Sequence, residues 1–192
     1  KRVEKRKGSM LWTHFGISGP VAMDISASWI RHEFAGKAPK LHANLFGTDN
    51  FENTEKWFLE ATAANHAKSV GRLVGERIPT TLVNALAEYL QLETAQSLGT
   101  LSKETRRKWV RGLIELPLPV HEHRGWNNAE VTSGGIPLNE MKPKTFESKL
   151  QPNLFLVGEI LDCDGRIGGF NFQWAWSTGF MAAKGLIKNL QS

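Results

Sequence analysis

The stretch DGRIGGFNFQWAWSTGF, from Asp164 to Phe180, constrains this chain more than any other. Three glycines and an asparagine lead into a run of tryptophans and phenylalanines, with Gln173, Ser177 and Thr178 as its polar relief. The pattern predicts a helix that begins at Phe170 or Asn171 and reaches about Leu190. Such a helix is apolar on nearly every side, and helices of that kind are normally buried within a larger body. The same stretch therefore raises two expectations: a tight glycine turn aimed at a helix N-terminus, and a helix that needs cover on more than one face.

The residues just before it sharpen the first expectation. NLFLVGEIL is an apolar strand, Leu154 to Val157, followed by Gly158 and Glu159. A glycine at a strand end lets a ligand approach the backbone, because no Cβ stands in the way. The Glu159 carboxylate is suited to accept hydrogen bonds from sugar or ribityl hydroxyls. Gly168 and Gly169 free the backbone N–H groups at the helix start, where the dipole favours an anion or an electron-rich carbonyl. Asn171 adds a donor and an acceptor. Spacing alone leads to a nucleotide or cofactor site, against the plainer reading of a loop with a tight turn.

Upstream, the chain reads as mixed. SMLWTHF (Ser9–Phe15) predicts a strand, and GISGP then opens a helix to about His32, with Ser18 as N-cap and Pro20 near its first position. KLHANLF (Lys40–Phe46) alternates like a strand. Asp49 followed by Glu52 resembles a capping box for a helix over about 50–70. Two more helices are predicted over about 80–91 and 102–113, each opened by Thr or Ser. From Glu115 onward, LPLPVHEHRGW, AEVTSGGIPL and NLFLVGEIL read as short strands separated by Pro, Gly and Asn. The order predicts an α+β (mixed α/β) chain in which 50–114 form a helical lobe.

Composition excludes several classes. Hydrophobic content of 41% and charged content of 22% are globular values that argue against disorder. No run of eighteen apolar residues predicts a membrane span, and no signal peptide is visible at the start. A single cysteine, Cys163, rules out an internal disulfide and a cysteine-rich zinc site, and a reducing cytoplasmic compartment is the expectation. The net charge of +5 is unevenly placed, because residues 1–8 hold five Lys/Arg and one Glu. A nucleic-acid binder spreads its cations over a face or along a helix among base-reading residues. The expectation is therefore no nucleic-acid partner, and KETRRKW on the fourth helix reads as a solvated face. His121 and His123 share one face of a strand but lack an obvious third ligand, so no metal site is expected. His14 follows a strand and precedes a helix N-terminus. It is the substrate-side candidate, as an acid/base or a carboxylate contact, although the favoured reading is that it only hydrogen-bonds its turn.

VGEILDCDGRIGGFNFQWAWSTG resembles the C-terminal FAD motif of a bacterial flavoprotein family, the NAD(P)/FAD-dependent oxidoreductases of the aminoacetone-oxidase-like or BaiN type. MLWTHFGISGP resembles the segment that opens the inserted domain of that family, and EVTSGGIPLNEMKPKTFESK resembles the stretch where the chain returns to the FAD domain. The resemblance implies an inserted domain over 1–128, then the C-terminal strand–helix part of a Rossmann-like FAD domain over 129–192. It places Gly158 and Glu159 near the ribityl chain, and Gly168, Gly169, Phe170 and Asn171 at the isoalloxazine ring. Thr132, Gly134 and Gly135 match a return loop that lines the flavin. Cys163 stands where valine is commoner in the family and Phe170 where tyrosine is commoner, and a redox role for a lone thiol without an activator is not expected.

The family's glycine-rich dinucleotide fingerprint, which holds the pyrophosphate, occurs nowhere in the 192 residues. With no initiator methionine and a start inside a charged strand-like segment, the chain reads as a piece of a longer protein. The resemblance then implies a fragment of a FAD-dependent oxidoreductase that uses NAD(P)H and a small-molecule substrate. Alone it is expected to be inactive, its missing partner being the N-terminal dinucleotide-binding segment. Trp174, Trp176 and Phe180, left short of cover, are expected to drive self-association. The alternative is a non-enzymatic interaction or regulatory module that does not bind FAD on its own.

Overall fold

A computed structural model describes residues 4–190, so the first three residues of the basic, strand-like start lie outside the described residues. The chain is a mixture of helices and short strands, and it forms two compact units. One is the continuous segment Lys40–Val120; the other is built from the two ends of the chain, up to Pro39 and from His121.

In the continuous unit, β3 (Leu41–Ala43) pairs antiparallel with β4 (Leu116–Leu118), Leu41 opposite Leu118 and Ala43 opposite Leu116. Between them lie four helices: α2 (Phe51–Ala64), α3 (Val70–Val74), α4 (Thr80–Leu90) and α5 (Lys103–Ile114). Asn50, not Asp49, caps α2 by accepting the Asn53 N–H at 2.8 Å. Asp49 instead pairs with Arg77 at 2.7 Å. The expected long helix over 50–70 ends early because Asn65 leaves the helical region and its Oδ1 accepts the N–H groups of Ala67 and Lys68, both at 3.1 Å. That competition with the helical ladder is characteristic of Asn. Ser69 then starts α3, and Ser102 caps α5 by accepting the Thr105 N–H at 3.0 Å. The N-cap of α4 is Pro79, which offers no side-chain cap. Phe58, Val70, Leu73, Val74, Val83, Leu98, Trp109, Val110 and Leu113 form a core in which each is at most 1% exposed.

The end-built unit opens with a hairpin of β1 (Leu11–Thr13) and β2 (Gly16–Ser18), then α1 (Pro20–Phe34). Ser18 is the last residue of β2 rather than a cap; Gly19, at φ 88°, is the N-cap residue. The strands expected after Val120 are mostly irregular backbone with isolated bridges, Met141 to Ser148 and Glu147 to Phe155. Among the described residues no sheet exceeds two strands, so these segments have no ladder to extend them. Glu147 is buried at this crossing. Lys142 Nζ at 2.7 Å and the Asn153 N–H at 3.2 Å hold its carboxyl below the usual carboxylate range.

The chain closes with α6 (Phe170–Leu190), roughly 32 Å of helix at 1.5 Å per residue. Trp174, Thr178, Met181, Ala182 and Gly185 lie on its covered side. Trp174 meets Phe146 edge to face, with ring centroids 5.7 Å apart. On the other side Phe172, Trp176 and Phe180 are 76%, 77% and 62% exposed, and Ile187 and Leu190 continue the stripe. The apolar helix therefore has two jobs: one face packs within the unit and the other is bare. No described helix is long and apolar enough to cross a membrane.

Candidate functional site

Two stretches far apart in sequence meet beside the start of α6. Residue Ile136 pairs with Leu161 in a parallel bridge, its N–H donating to the Ile160 carbonyl at 2.9 Å while Asp162 N–H donates to the Ile136 carbonyl at 2.9 Å. This approach requires Gly135. Its φ is 145°, and a Cβ there would lie 2.4 Å from the Ile160 carbonyl oxygen. Carboxylates stitch the return loop further. Thr132 N–H donates to Glu159 Oε1 at 2.6 Å, and Ser133 Oγ donates to Asp164 Oδ1 at 3.1 Å while accepting from Arg31 of α1 at 2.7 Å.

The glycine turn is held from both sides. Asp24, also on α1, accepts the Ile167 N–H at 2.9 Å. Asn171 clasps Gly165, its Oδ1 accepting the N–H at 2.7 Å and its Nδ2 donating to the carbonyl at 3.1 Å. Both polar atoms of Asn171 are thus engaged in shaping the turn. Gly168 and Gly169, at φ 128° and 86°, bend the chain into α6 at Phe170, which is exposed. Beneath them Gly158 is buried, its N–H donating to Thr178 Oγ1 at 2.9 Å and its carbonyl accepting from Trp174 Nε1 at 3.0 Å. Gly158 therefore seats the single turn of 3-10 helix Gly158–Ile160 under α6, where a strand end was expected.

The structure brings Thr132, Gly135, Gly158 and Glu159 together, and Asp164 and Gly165 link that group to Asn171 and the glycine pair. Gly134 lies in the same return loop. His14 is elsewhere, on the exposed turn between β1 and β2, where its ring meets Phe15 edge to face at 5.1 Å and Arg124 lies 4.3 Å over Phe15. His123 accepts the Gly125 N–H at 3.1 Å. Sequence reasoning missed Asp24, Arg31, Ser133 and Asp164 as the fasteners of the site. Ser133 and Asp164 lie inside the quoted motifs, but Asp24 and Arg31 carry no local signal.

The description "HI0933-like protein barrel and H2TH domain" matches residues 1–131, and "HI0933-like protein Rossmann domain" matches residues 112–185. The chain belongs to the HI0933-like family. This is the family of BaiN-like, FAD-dependent oxidoreductases that the C-terminal motif resembles. The chain is 31% identical over 179 residues to a ribosomal RNA dihydrouridine synthase of Escherichia coli, covering 93% of this chain and 42% of that protein. It is 29% identical to a 3-dehydro-bile acid delta(4,6)-reductase of Clostridium scindens, covering 92% and 43%. A ribosomal RNA dihydrouridine synthase of Haemophilus influenzae is also 29% identical, with 91% and 41% covered. The chain thus spans about two fifths of the length of these curated relatives.

The residues at the start of α6 fit a flavin. No atom lies within 4 Å of where a Cβ would stand on Gly134 or Gly169, so a flat ring has room to lie against bare backbone. The first-turn amides of α6, like those of any helix, have no acceptor within the helix. Glu159 has one oxygen fixed by Thr132 and a second left to accept hydroxyls. The arrangement is an open rim, with no enclosing wall supplied by the described residues.

Proposed function

We propose that the whole protein is a flavin-dependent reductase that adds hydrogen across a carbon–carbon double bond next to a carbonyl. The observation that carries this reading is the rim itself: a return loop stitched to the turn Gly158–Ile160 beside bare glycine backbone at a helix N-terminus. The names of the relatives support the reaction class. Dihydrouridine is uridine with one ring double bond saturated beside a carbonyl, and a delta(4,6)-reductase acts on double bonds of a 3-keto compound.

A bound FAD would supply the hydride, with NAD(P)H as the proposed donor. The α6 N-terminus would stabilise negative charge on the ring through its free amides and dipole. Glu159, oriented by Thr132, would accept hydroxyls of the ribityl chain, and Gly134 and Gly135 would let the return loop lie close. In this reading the bare stripe of α6, Phe172 through Leu190, seats the dinucleotide-binding segment that grips the adenine and pyrophosphate. Without that cover the same stripe drives self-association. His14 remains the proposed substrate-side residue, and the cytoplasm the proposed compartment.

The test is flavin absorbance of the whole protein as purified and after reconstitution, beside a Gly168→Ala/Gly169→Ala variant. The positive φ at both positions makes alanine strained, so flavin retention should fall at least about tenfold while the fold survives. A whole protein that purifies without flavin and cannot be reconstituted would end the reductase reading in favour of a non-enzymatic interaction module.

A further inference from the structure

We propose that the Lys40–Val120 lobe carries a docking surface for single-stranded RNA, made by the outer face of α5 and by Tyr89 of α4. This rests on the reductase reading in one respect: it names RNA as the substrate class of that reaction.

Charge is the first observation. Within its twelve residues α5 holds five Lys/Arg and one Glu, while in the rest of the lobe acidic residues outnumber Lys and Arg. Lys103, Lys108 and Arg111 are exposed, and among the described residues they form no ion pair. Arg107 gives its Nε to Glu55 at 3.1 Å, and Arg106 on the inner side reaches the same carboxylate at 3.3 Å. The sequence shows the run KETRRKW, read there as a solvated face, but not which side chains it sets beside it.

Tyr89 is the second observation. Of the lobe's large apolar side chains only Leu59 and Tyr89 are exposed, Tyr89 at 61%; the rest are buried or half-buried. It lines one open groove with Lys103, Arg107, Lys108 and Arg111, floored by Leu90 and Gly112. Close helix packing puts it there: a Cβ on Gly112 would lie 2.5 Å from Leu90 Cδ1, so the missing side chain lets α4 come against α5. Trp109, Val110 and Leu113 are wholly buried on the opposite face of α5, which makes the surface a rigid one.

A row of cations beside one exposed aromatic ring matches the chemistry of a single strand, whose phosphates take the cations while an unstacked base takes the ring. Glu104 and Glu115 also line the groove, so the surface offers discrete phosphate positions rather than a uniform basic patch. A lipid surface is disfavoured by those two carboxylates and by the lack of apolar anchors beyond Tyr89.

The experiment is fluorescence anisotropy of a labelled oligouridylate with the 192-residue chain across a salt series. K103Q/K108Q/R111Q should reduce the slope of log affinity against log salt by about 2, from roughly 0.7 per phosphate contact in single strands. Y89A should weaken binding about tenfold and leave the slope alone. A K37Q/K40Q/K144Q control should leave both unchanged, and thermal melting should show all variants folded. The proposal is overturned by absence of binding at low salt, by a control that lowers the slope equally, or by a Y89A protein that binds like the parent. Binding to phosphatidylserine vesicles through these residues, without RNA binding, overturns it as well. The readout needs no flavin. RNA binding lost in a flavin-loaded, active whole protein removes the docking surface alone, and RNA binding kept by a flavin-free protein removes the reductase reading alone.

Discussion

The two units treat their apolar residues in opposite ways. The lobe folds its helices around Phe58, Leu73, Val83, Trp109 and Leu113 and leaves only Leu59 and Tyr89 as large exposed hydrophobics. The end-built unit has few fully buried apolar side chains, Met141 and Leu161 among them, and exposes Phe34, Trp126, Phe172, Trp176 and Phe180. The lobe has enough regular structure to close a core within one continuous segment. The other unit organises its backbone through single bridges and side-chain hydrogen bonds, which fix geometry without removing apolar area from water. A self-contained core is thus set beside a surface that is built but not covered.

The sharpest way to break this contrast is to remove a tryptophan from each side. Trp109→Ala should cost about 3–5 kcal/mol, because a fully buried indole is lost from a closed core. Trp176→Ala should cost less than about 0.5 kcal/mol in this chain. Urea unfolding of both variants measures the difference, and equal losses would erase the contrast. Next in size, Ser102→Ala should lower lobe stability by about 1 kcal/mol, since the α5 N-cap is lost. A loss confined to the lobe's own transition would show that the units unfold separately.

Trp176→Lys with Phe180→Lys should leave the unfolding midpoint almost unchanged and abolish concentration-dependent association in sedimentation velocity. Persistent association would assign it to a different surface. The smallest effect concerns pH, with one carboxylate on each side. The Glu55 carboxyl is held low first by its hydrogen bond from Arg107, and that of Glu147 first by Lys142. A depressed folded value means the contribution is complete above the usual value of 4.5 and is lost as pH falls through the lower folded one. Acid titration of Glu55→Gln and Glu147→Gln should therefore start from a slightly lower stability at neutral pH and show a shallower loss below that value, each variant converging on the parent in acid.

What was legible in the sequence was what local chemistry decides. The α6 start at Phe170 follows from a glycine pair before an apolar run, and α5 from Ser102 as cap. The extent of α2 was misread because Asn65 offers its own carbonyl to the following amides, a competition no periodicity reveals. The strands expected after Val120 have strand-like composition, but a strand needs a neighbour, and the described residues supply only isolated bridges. At the site, glycines stood out because few residue types fit positions such as Gly135, and Glu159 stood out for its carboxylate beside Gly158. Asp24 and Arg31 did not, being ordinary helix residues until α1 is folded against the turn. The charge on α5 was visible as letters, but its coincidence with Tyr89 depends on Gly112.

The ladder between β3 and β4 has a consequence for how such a protein can change. Leu41 faces Leu118 across the pair, so the lobe departs from and rejoins the chain at a single doorway, with backbones about 5 Å apart. An insert with so narrow a footing can be lengthened, exchanged or trimmed to a hairpin without tugging on either flank. A lineage is then free to replace the appendage and keep the workbench.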